Sequence, residues 1–164
     1  MAKSQRVFGG RRSMDEPFGV TLEGLNVSRL FPVTAENVSD FVRLSGDDYE
    51  AHTDPDFMAR SSFGRLIAHG ALLVGYMSAV GTMAIRAAQA RGNRDVPVSL
   101  GYDRLRFVAP VFFGDTVTAS YTIKSVDEAR RRSLADVAVV NQHGVTVAVA
   151  EHVMKWMNTD AKEG

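Results

Sequence analysis

Apolar and polar positions divide this chain into a mainly helical first half and a strand-rich second half. The segment from Gly70 to about Ala90 is apolar around most of its circumference and carries no charge before Arg86, which indicates a buried helix. Four later segments have strand-like patterns, with apolar and polar residues alternating over parts of them: 96–108, 115–126, 133–141 and 145–157. These patterns predict an α+β fold in which an antiparallel sheet wraps around one long helix.

Two short helices are predicted before the long one. Thr34 is suited to cap the first, which should end at Gly46, because glycine readily adopts the left-handed conformation that terminates helices. Asp54 followed by Pro55 is a typical cap and first-turn pair, and it predicts a second helix that runs to about Ser62. The stretch between the two helices is expected to be a loop.

The ends of the chain and one turn complete the prediction. Apolar positions within 20–32 fit a first strand or an irregular lead-in, and Gln142-His143-Gly144 is typical of a tight hairpin turn. We expect a flexible arm over 1–20, one domain over 21–158 and a short tail over 159–164.

Composition narrows the classes of function and partner. The 164 residues suffice for one domain, and the 19 lysines and arginines balance the 19 aspartates and glutamates. This balance gives no global field for nucleic acid or an anionic membrane, so we expect a small molecule or a second copy of the chain as partner. The absence of cysteine excludes disulfides and thiolate chemistry and is compatible with the cytoplasm, where we expect the protein to act. The first residues do not resemble a secretory signal.

The apolar helix also invites a membrane interpretation. The stretch from Gly70 to Ile85 has no charged residue, but it is shorter than the roughly 20 residues that a spanning helix requires. Its small residues, Gly75, Ser78 and Gly81 among them, favour close packing against a sheet. We therefore expect a buried core helix and no membrane partner.

The loop at 45–55 carries the candidate chemistry. It reads Ser-Gly-Asp-Asp-Tyr-Glu-Ala-His-Thr-Asp-Pro, and it places Asp47 and His52 five residues apart. A carboxylate and an imidazole a few ångströms apart can hold one water and exchange protons with it, which is the equipment for adding water to a double bond or removing it. The alternative is that Asp47 caps a turn and His52 is an ordinary surface or hydrogen-bonded histidine.

His69-Gly70 lies at the start of the long helix. The first N–H groups of a helix lack intrahelical partners, and together with the helix dipole they favour a negative charge. The Gly70 N–H is therefore suited to bind a thioester carbonyl that becomes an enolate during reaction. The alternative is that Gly70 only permits tight packing between helix and sheet.

These motifs together resemble the MaoC-like hydratases and dehydratases, a hotdog-fold family that includes the R-specific enoyl-CoA hydratases. The resemblance extends from about residue 20 to 157, and its motifs agree in order and spacing. They are Phe41 to Leu44 followed by Ser45 to Pro55, then His69-Gly70-Ala71, Ser78 on the long helix, and the later turn from Phe107 to Asp115.

The resemblance implies a role for each matched residue. Asp47 and His52 would be the acid–base pair that activates water, the Gly70 N–H would bind the thioester oxygen, and Ser78 would support the site by hydrogen bonding. The implied reaction is syn hydration of a trans-2-enoyl thioester to a 3-hydroxyacyl thioester, or its reverse. It implies no metal or redox cofactor, with coenzyme A or an acyl carrier entering only as part of the substrate, and it implies a homodimer or a higher homo-oligomer.

The chain departs from the family pattern at two positions. Tyr49 and Glu50 stand where the family usually has Asn-Pro. Tyr49 is a candidate supporting residue that either narrows the pocket, donates a hydrogen bond to a polar acyl group, or packs on the loop.

Two other functions therefore stay open beside the hydratase. One is a thioesterase on the same fold, in which a carboxylate would direct water at the carbonyl carbon, and fold alone does not separate the two. The other is a non-catalytic subunit that binds acyl thioesters, which the Tyr49 and Glu50 replacements favour.

The remaining histidines have structural interpretations. We expect His69 to order the loop before the helix through a backbone hydrogen bond, and His143 to be exposed in its turn. His152 alternates within a strand and has no obvious partner in the sequence.

Two further patterns carry less information. The run Arg130-Arg131-Arg132 is interpreted as solvated loop charge, with contact to coenzyme A phosphates as the alternative. A metal site built from His52, Asp54 and His69 matches no standard ligand spacing, so none is predicted.

Overall fold

Five antiparallel strands form one sheet in the computed structural model, which describes residues 18–158. The strands are β1 (Asn26–Pro32), β2 (Val96–Phe107), β3 (Thr116–Asp127), β4 (Arg132–Asn141) and β5 (Thr146–Met157). Their order in the sheet is β1-β3-β4-β5-β2, so β1 and β2 are the two edge strands. Each pair of neighbours is antiparallel. The four strands predicted in the second half, β2 to β5, are confirmed, and their bounds agree within one residue. Strand β1 occupies only the end of the predicted segment 20–32.

Four helices precede β2: α1 (Ala35–Ser45), α2 (Glu50–Thr53), α3 (Pro55–Ala59) and α4 (Gly70–Ala90). The long helix α4 has the predicted bounds and lies against β1, β3 and β4. It buries Leu73, Met77, Val80, Gly81, Ala84 and Ala88. The sheet contributes alternate residues to the same core, among them Val117, Ala119 and Tyr121 of β3. The prediction of a sheet around a central helix is therefore confirmed.

The short helices differ in part from the prediction. Helix α1 begins after Thr34, whose hydroxyl accepts from the Asn37 N–H, and it ends at Gly46 with φ of 77°. Helix α3 ends at Ala59, earlier than predicted, because the Ser61 hydroxyl donates to the Met58 carbonyl and turns the chain. The one-turn helix α2 was not predicted, since four residues are too few for a periodic pattern.

Contacts with the sheet begin before residue 21, the predicted start of the domain. Phe18–Thr21 forms a 3-10 turn, and the Phe18 side chain is buried in the core. The Gly19 N–H donates to the Glu128 carboxylate at 2.9 Å, so long-range contacts hold this turn. The domain therefore includes Phe18. The rest of the predicted arm, residues 1–17, and the predicted tail, 159–164, lie outside the described residues.

The contacts of Arg131 differ from the interpretation of residues 130–132 as solvated loop charge. Its guanidinium pairs with Asp95, donates to the Trp156 carbonyl at 3.2 Å, and lies 4.8 Å from the centre of the Phe18 ring. Arg131 therefore joins the amino-terminal turn to the sheet and is not a solvated loop charge. A guanidinium nitrogen of Arg130 lies 3.7 Å from a carboxylate oxygen of Asp127, and the Arg130 side chain is exposed.

Helix α4 is longer than the charge-free stretch 70–85 that was compared above with the length of a membrane span. It has 21 residues and a mean hydropathy of 1.4 over its most apolar window, so its length and composition alone would allow it to cross a membrane. The core helix of a soluble protein meets the same criterion. Here one face of α4 is buried against the sheet, as expected for a core helix.

His152 of β5 has partners that the sequence did not reveal. Its Nδ1 hydrogen-bonds with the Tyr121 hydroxyl at 3.0 Å, and its Nε2 with the Ser99 hydroxyl at 2.8 Å. The Tyr102 ring stacks on it, with 4.4 Å between ring centroids. Burial lowers the pKa of His152 to about 4, so the ring is neutral in the folded protein near neutral pH.

This buried histidine predicts a loss of stability in acid. An unfolded histidine titrates near 6.5, so between pH 6.5 and 4 the unfolded chain binds one more proton at this site than the folded protein. The free energy of unfolding should fall by about 2 to 3 kcal/mol across that window because of His152. Urea unfolding at pH 7.5 and 4.5 should show a smaller fall for His152→Gln than for the wild type. His143→Gln, at an exposed turn, should retain the wild-type fall. Equal falls in all three proteins would contradict the prediction.

Candidate active site

Asp47 lies immediately after the left-handed end of α1. Its backbone N–H donates to the Ser45 hydroxyl at 3.1 Å, and this hydroxyl in turn donates to the Phe41 carbonyl. The Asp47 side chain is 51% exposed. The end of α1 therefore presents a solvent-accessible carboxylate on a loop that its own backbone contacts hold in place.

His52 lies on α2, and the segment before α4 fixes its ring. The Ile67 N–H donates to the Ala51 carbonyl at 3.2 Å, so this segment runs directly beside α2. The His52 ring nitrogen Nδ1 lies 2.7 Å from the Ile67 carbonyl oxygen. A carbonyl oxygen only accepts, so Nδ1 carries the proton. In the neutral ring, Nε2 is then left with a free lone pair.

His69 brings the two parts of the site together. Its side chain is buried, and its ring stacks on His52 with 3.7 Å between centroids and an interplanar angle of 29°. Its Nε2–H donates to the backbone carbonyl of Asp47 at 2.9 Å, which confirms the predicted backbone hydrogen bond. Its Nδ1 is buried and has no hydrogen-bond partner within residues 18–158.

The carboxylate and the imidazoles converge on a small volume. One carboxylate oxygen of Asp47 and one ring nitrogen each of His52 and His69 lie within 4.8 Å of one another. Two hydrogen bonds that meet at one water separate their outer atoms by about 4.6 Å. The group formed by Asp47, His52 and His69 therefore has a spacing that is compatible with one shared water, and the catalytic role of Asp47 and His52 stays a prediction.

A carboxylate and two imidazoles at this spacing are also candidate ligands for a metal ion. The sequence candidate was His52, Asp54 and His69, but Asp54 instead caps α3, where its carboxylate accepts from the Phe57 N–H. One nitrogen of each ring is already hydrogen-bonded to a backbone carbonyl, His52 Nδ1 to Ile67 and His69 Nε2 to Asp47, and His69 Nδ1 is buried. This arrangement does not resemble the convergent ligand set that zinc requires.

Burial keeps His69 neutral. Burial lowers the pKa of His69, and a charge on the adjacent His52 lowers it further. The hydrogen bond to the Asp47 carbonyl and the Asp47 carboxylate act in the opposite direction, but the net shift is downward. The site therefore combines one buried neutral imidazole with a second that has access to solvent.

Gly70 opens both α4 and a mainly apolar cavity of about 340 Å³. The cavity is lined by His52, Phe63, Ile67, Ala68, Gly70, Leu73 and residues 107–111. A Cβ at Gly70 would lie only 2.5 Å from a ring carbon of Phe107, so this position requires glycine for packing. His69 provides no side-chain cap to the helix, which leaves the first N–H groups of α4 for another acceptor. Both interpretations of Gly70 are therefore compatible with the structure.

Tyr49 lies outside this cavity. Its exposed ring contacts His52 and Phe57 edge-on, with centroid distances of 6.3 and 6.1 Å. It is not among the residues that line the cavity. Of its three possible roles, packing on the loop agrees best with this placement.

Ser78 is not brought to Asp47 and His52 within one chain. It lies eight residues after Gly70, about 12 Å further along the helix axis. Its side chain lies close to the hydroxyl of Tyr102, whose ring stacks on His152. Its supporting role stays a prediction.

Two residues of the site were not assigned to it from the sequence. His69 was expected only to order a loop, and its one signal was its position at the cap of α4, where Ser, Thr, Asp or Asn is usual. Phe107 covers Gly70 from the end of β2, and no local pattern pairs a strand residue with a helix that begins 37 positions earlier.

Comparisons with known proteins agree with this architecture. A family model described as MaoC like domain matches residues 22–147. The (R)-specific enoyl-CoA hydratase of Aeromonas caviae is 31% identical over 121 residues, which are 74% of this chain and 84% of that protein. Protein MaoC of Klebsiella aerogenes is 35% identical over 101 residues, which are 62% of this chain but only 28% of that longer protein.

A solved structure of a related protein is also similar to this chain. The (R)-hydratase from A. caviae involved in PHA biosynthesis aligns with a TM-score of 0.69 at 30% identity, and the alignment covers 80% of this chain and 94% of that one. The single antiparallel sheet and its long helix are therefore a hotdog fold, and the chain belongs to the MaoC-like domain family.

Proposed function

We propose that this protein is a hydratase or dehydratase that interconverts enoyl and 3-hydroxyacyl thioesters, with acyl-CoA as the thioester. The observation that carries the proposal is that a carboxylate oxygen of Asp47 and a ring nitrogen of His52 lie within 4.8 Å of each other, next to a mainly apolar cavity that reaches the start of α4. Relatives named as an (R)-specific enoyl-CoA hydratase and a 3-hydroxybutyryl-CoA dehydratase support it.

The water is activated by the paired side chains. The Ile67 carbonyl holds the proton of His52 on Nδ1, so Nε2 can take one proton from water. The Asp47 carboxylate orients the oxygen by accepting a hydrogen bond from the other water hydrogen, which stays on the oxygen in the product hydroxyl. The water oxygen forms a bond to C3, and the π electrons of the C2–C3 double bond move into an enolate. The proton taken from the water then returns from the pair to C2 on the same face, which makes the addition syn. Dehydration is the same sequence reversed.

The enolate oxygen binds at the start of α4. The Gly70 N–H is the first donor of a 21-residue helix, so both a hydrogen bond and the helix dipole stabilise the charge as it develops. Proton transfer and this electrostatic stabilisation suffice for the reaction, so we propose no metal or redox cofactor.

The cavity indicates the kind of acyl group. Most of its wall consists of apolar side chains, among them Phe63, Leu73 and Val111, and His52 is the titratable residue in it. Burial of an apolar chain there is favourable, whereas a charged acyl group would lose its hydration without a partner. We therefore propose unsubstituted or alkyl-branched enoyl groups as substrates.

We further propose that two copies assemble through β2 and the exposed face of α4. Edge strand β2 exposes Val96, Val98 and Leu100, each at about half of its full exposure. The adjacent exposed face of α4 carries small residues at helical spacing: Ala71, Gly75, Ser78 and Thr82. An unpaired edge strand and an apolar surface beside it are features that a second copy would cover.

Asp47→Asn and His52→Gln should each lower kcat with crotonyl-CoA by about 10² to 10⁴, because each removes one half of the acid–base pair. The loss of enoyl-thioester absorbance measures turnover, and His143→Gln serves as the matched exposed control. Release of free thiol from saturated acyl-CoA would favour the thioesterase. Binding without turnover in the wild type would favour the non-catalytic subunit. Either result would overturn the proposal.

Gly70→Ala should be destabilising because its methyl group meets the Phe107 ring. We expect a cost of about 1 kcal/mol, the lower end for overpacking, since the ring is half-exposed and can move. In a Phe107→Ala background the same substitution should cost nothing, and urea unfolding of the four proteins measures this coupling. Equal costs in both backgrounds would show that Phe107 does not impose glycine here.

The proposed assembly is tested at its edge strand. Light scattering after size exclusion should find a dimer or larger assembly, and Val98→Lys should raise the dissociation constant at least about tenfold by placing a charge in the interface. Leu30→Lys, at an exposed position on the opposite edge strand β1, is the matched control and should leave assembly unchanged. A monomeric wild type, or equal effects of both substitutions, would refute this interface.

A further inference from the structure

We propose that His69 is a positioning residue for the proposed hydration, and that its ring holds both the His52 imidazole and the Asp47 loop in their working geometry. The inference rests on the proposed function for its kinetic test, but its structural part stands on contacts within the chain. It gives His69 a task beyond ordering the loop before α4.

The first contact is with His52. Helix α2 has four residues and no side-chain cap at its start, so it is too short to hold its own side chains rigidly. The His69 ring stacks on the His52 ring at 3.7 Å, and the Phe41 ring lies 4.7 Å away from His69. His52 is thus supported by ring stacking on one face, while the Ile67 carbonyl fixes the direction of its Nδ1–H.

The second contact is with Asp47. The His69 Nε2–H donates to the Asp47 backbone carbonyl at 2.9 Å, and the Asp47 carboxylate lies 4.0 Å from the same nitrogen. The Asp47 side chain is half-exposed and depends on its backbone for its position. One buried ring therefore sets the distance between the two groups that would share the water.

His69 is also placed at the start of α4, but it does not stabilise the helix as a cap would. Its side chain makes no hydrogen bond to the first N–H groups of α4 and is turned toward the site. A serine or aspartate at this position would accept from the N–H of Ala71 or Leu72 and stabilise the start of the helix. The histidine ring instead contacts Asp47 and His52.

The charge state of the ring matters to this role. The titratable groups that face His69 are His52 of α2 and Asp47 after α1, while the α1 side chain against it, Phe41, is uncharged. Burial and the nearby His52 lower the pKa of His69 more than the two Asp47 contacts raise it. A neutral His69 allows His52 to accept a proton from water without a second positive charge in contact with it.

Two substitutions separate the two contacts. His69→Gln keeps an N–H donor near the position of Nε2 but removes the ring, and His69→Phe keeps the ring but removes the donor. We expect His69→Gln to lower kcat for crotonyl-CoA roughly ten- to a hundredfold with less than a threefold change in KM, because misplacing the pair affects the chemical step more than binding. His69→Phe should lose less than His69→Gln.

A spectroscopic measurement keeps the test independent of turnover. In the wild type, NMR of the histidine rings should give His52 as the Nδ1–H tautomer, with its carbon-bound ring protons shifted by the His69 ring. These shifts should collapse in His69→Gln and persist in His69→Phe. His152→Gln is the control for the loss of any buried histidine: it should lower the thermal midpoint and leave the His52 signals unchanged.

The outcomes are distinct. Unchanged His52 signals in His69→Gln would overturn the positioning role, as would a wild-type kcat in that variant. A wild type without hydratase activity that nevertheless shows the expected signals would refute the proposed function and support the positioning of His52 by His69.

Discussion

The packing of α4 against the sheet is the constraint on which the site depends. Burial of one face of this helix fixes where its first residue lies, and with it the direction of the first N–H groups and the position of His69. His69 then provides the surface on which His52 rests. A helix that shifted along the sheet would displace the proposed oxyanion donor and the acid–base pair together, so the hydrophobic core sets the geometry of a site that is itself partly exposed.

Backbone carbonyls, rather than carboxylates, set the tautomers of both histidines in the site. Ile67 accepts the proton of His52, and Asp47 accepts the proton of His69 through its main chain. A neutral acceptor fixes the direction of a ring without adding charge beside it. The Asp47 carboxylate is therefore free to interact with the reacting water, and the only formal negative charge in the group of Asp47, His52 and His69 is placed where the proposed chemistry requires it.

The sequence predicted the helix and the strands whose hydrophobic residues recur periodically. It did not predict the contacts between residues that are far apart in the sequence. The bounds of α4 followed from its apolar circumference and its flanking residues, and the strands from their alternation. Helix α2 was missed because one turn has no period. The stacking of His52 on His69 was missed because it joins residues 17 positions apart through two loops. Phe18 was assigned to an arm because its partner Arg131, in the turn between β3 and β4, is distant in sequence.

The proposed acid–base pair and the cavity wall lie on different parts of the chain. Asp47 and His52 belong to the segment between α1 and α3, whereas Phe107 and the residues after it belong to the end of β2, where bulges interrupt the pairing with β5. Changes near β2 can reshape the space available to an acyl chain while the pair keeps its geometry. Separate segments of the fold would therefore determine substrate preference and reaction mechanism, so that the preference can diverge among relatives while the mechanism is kept.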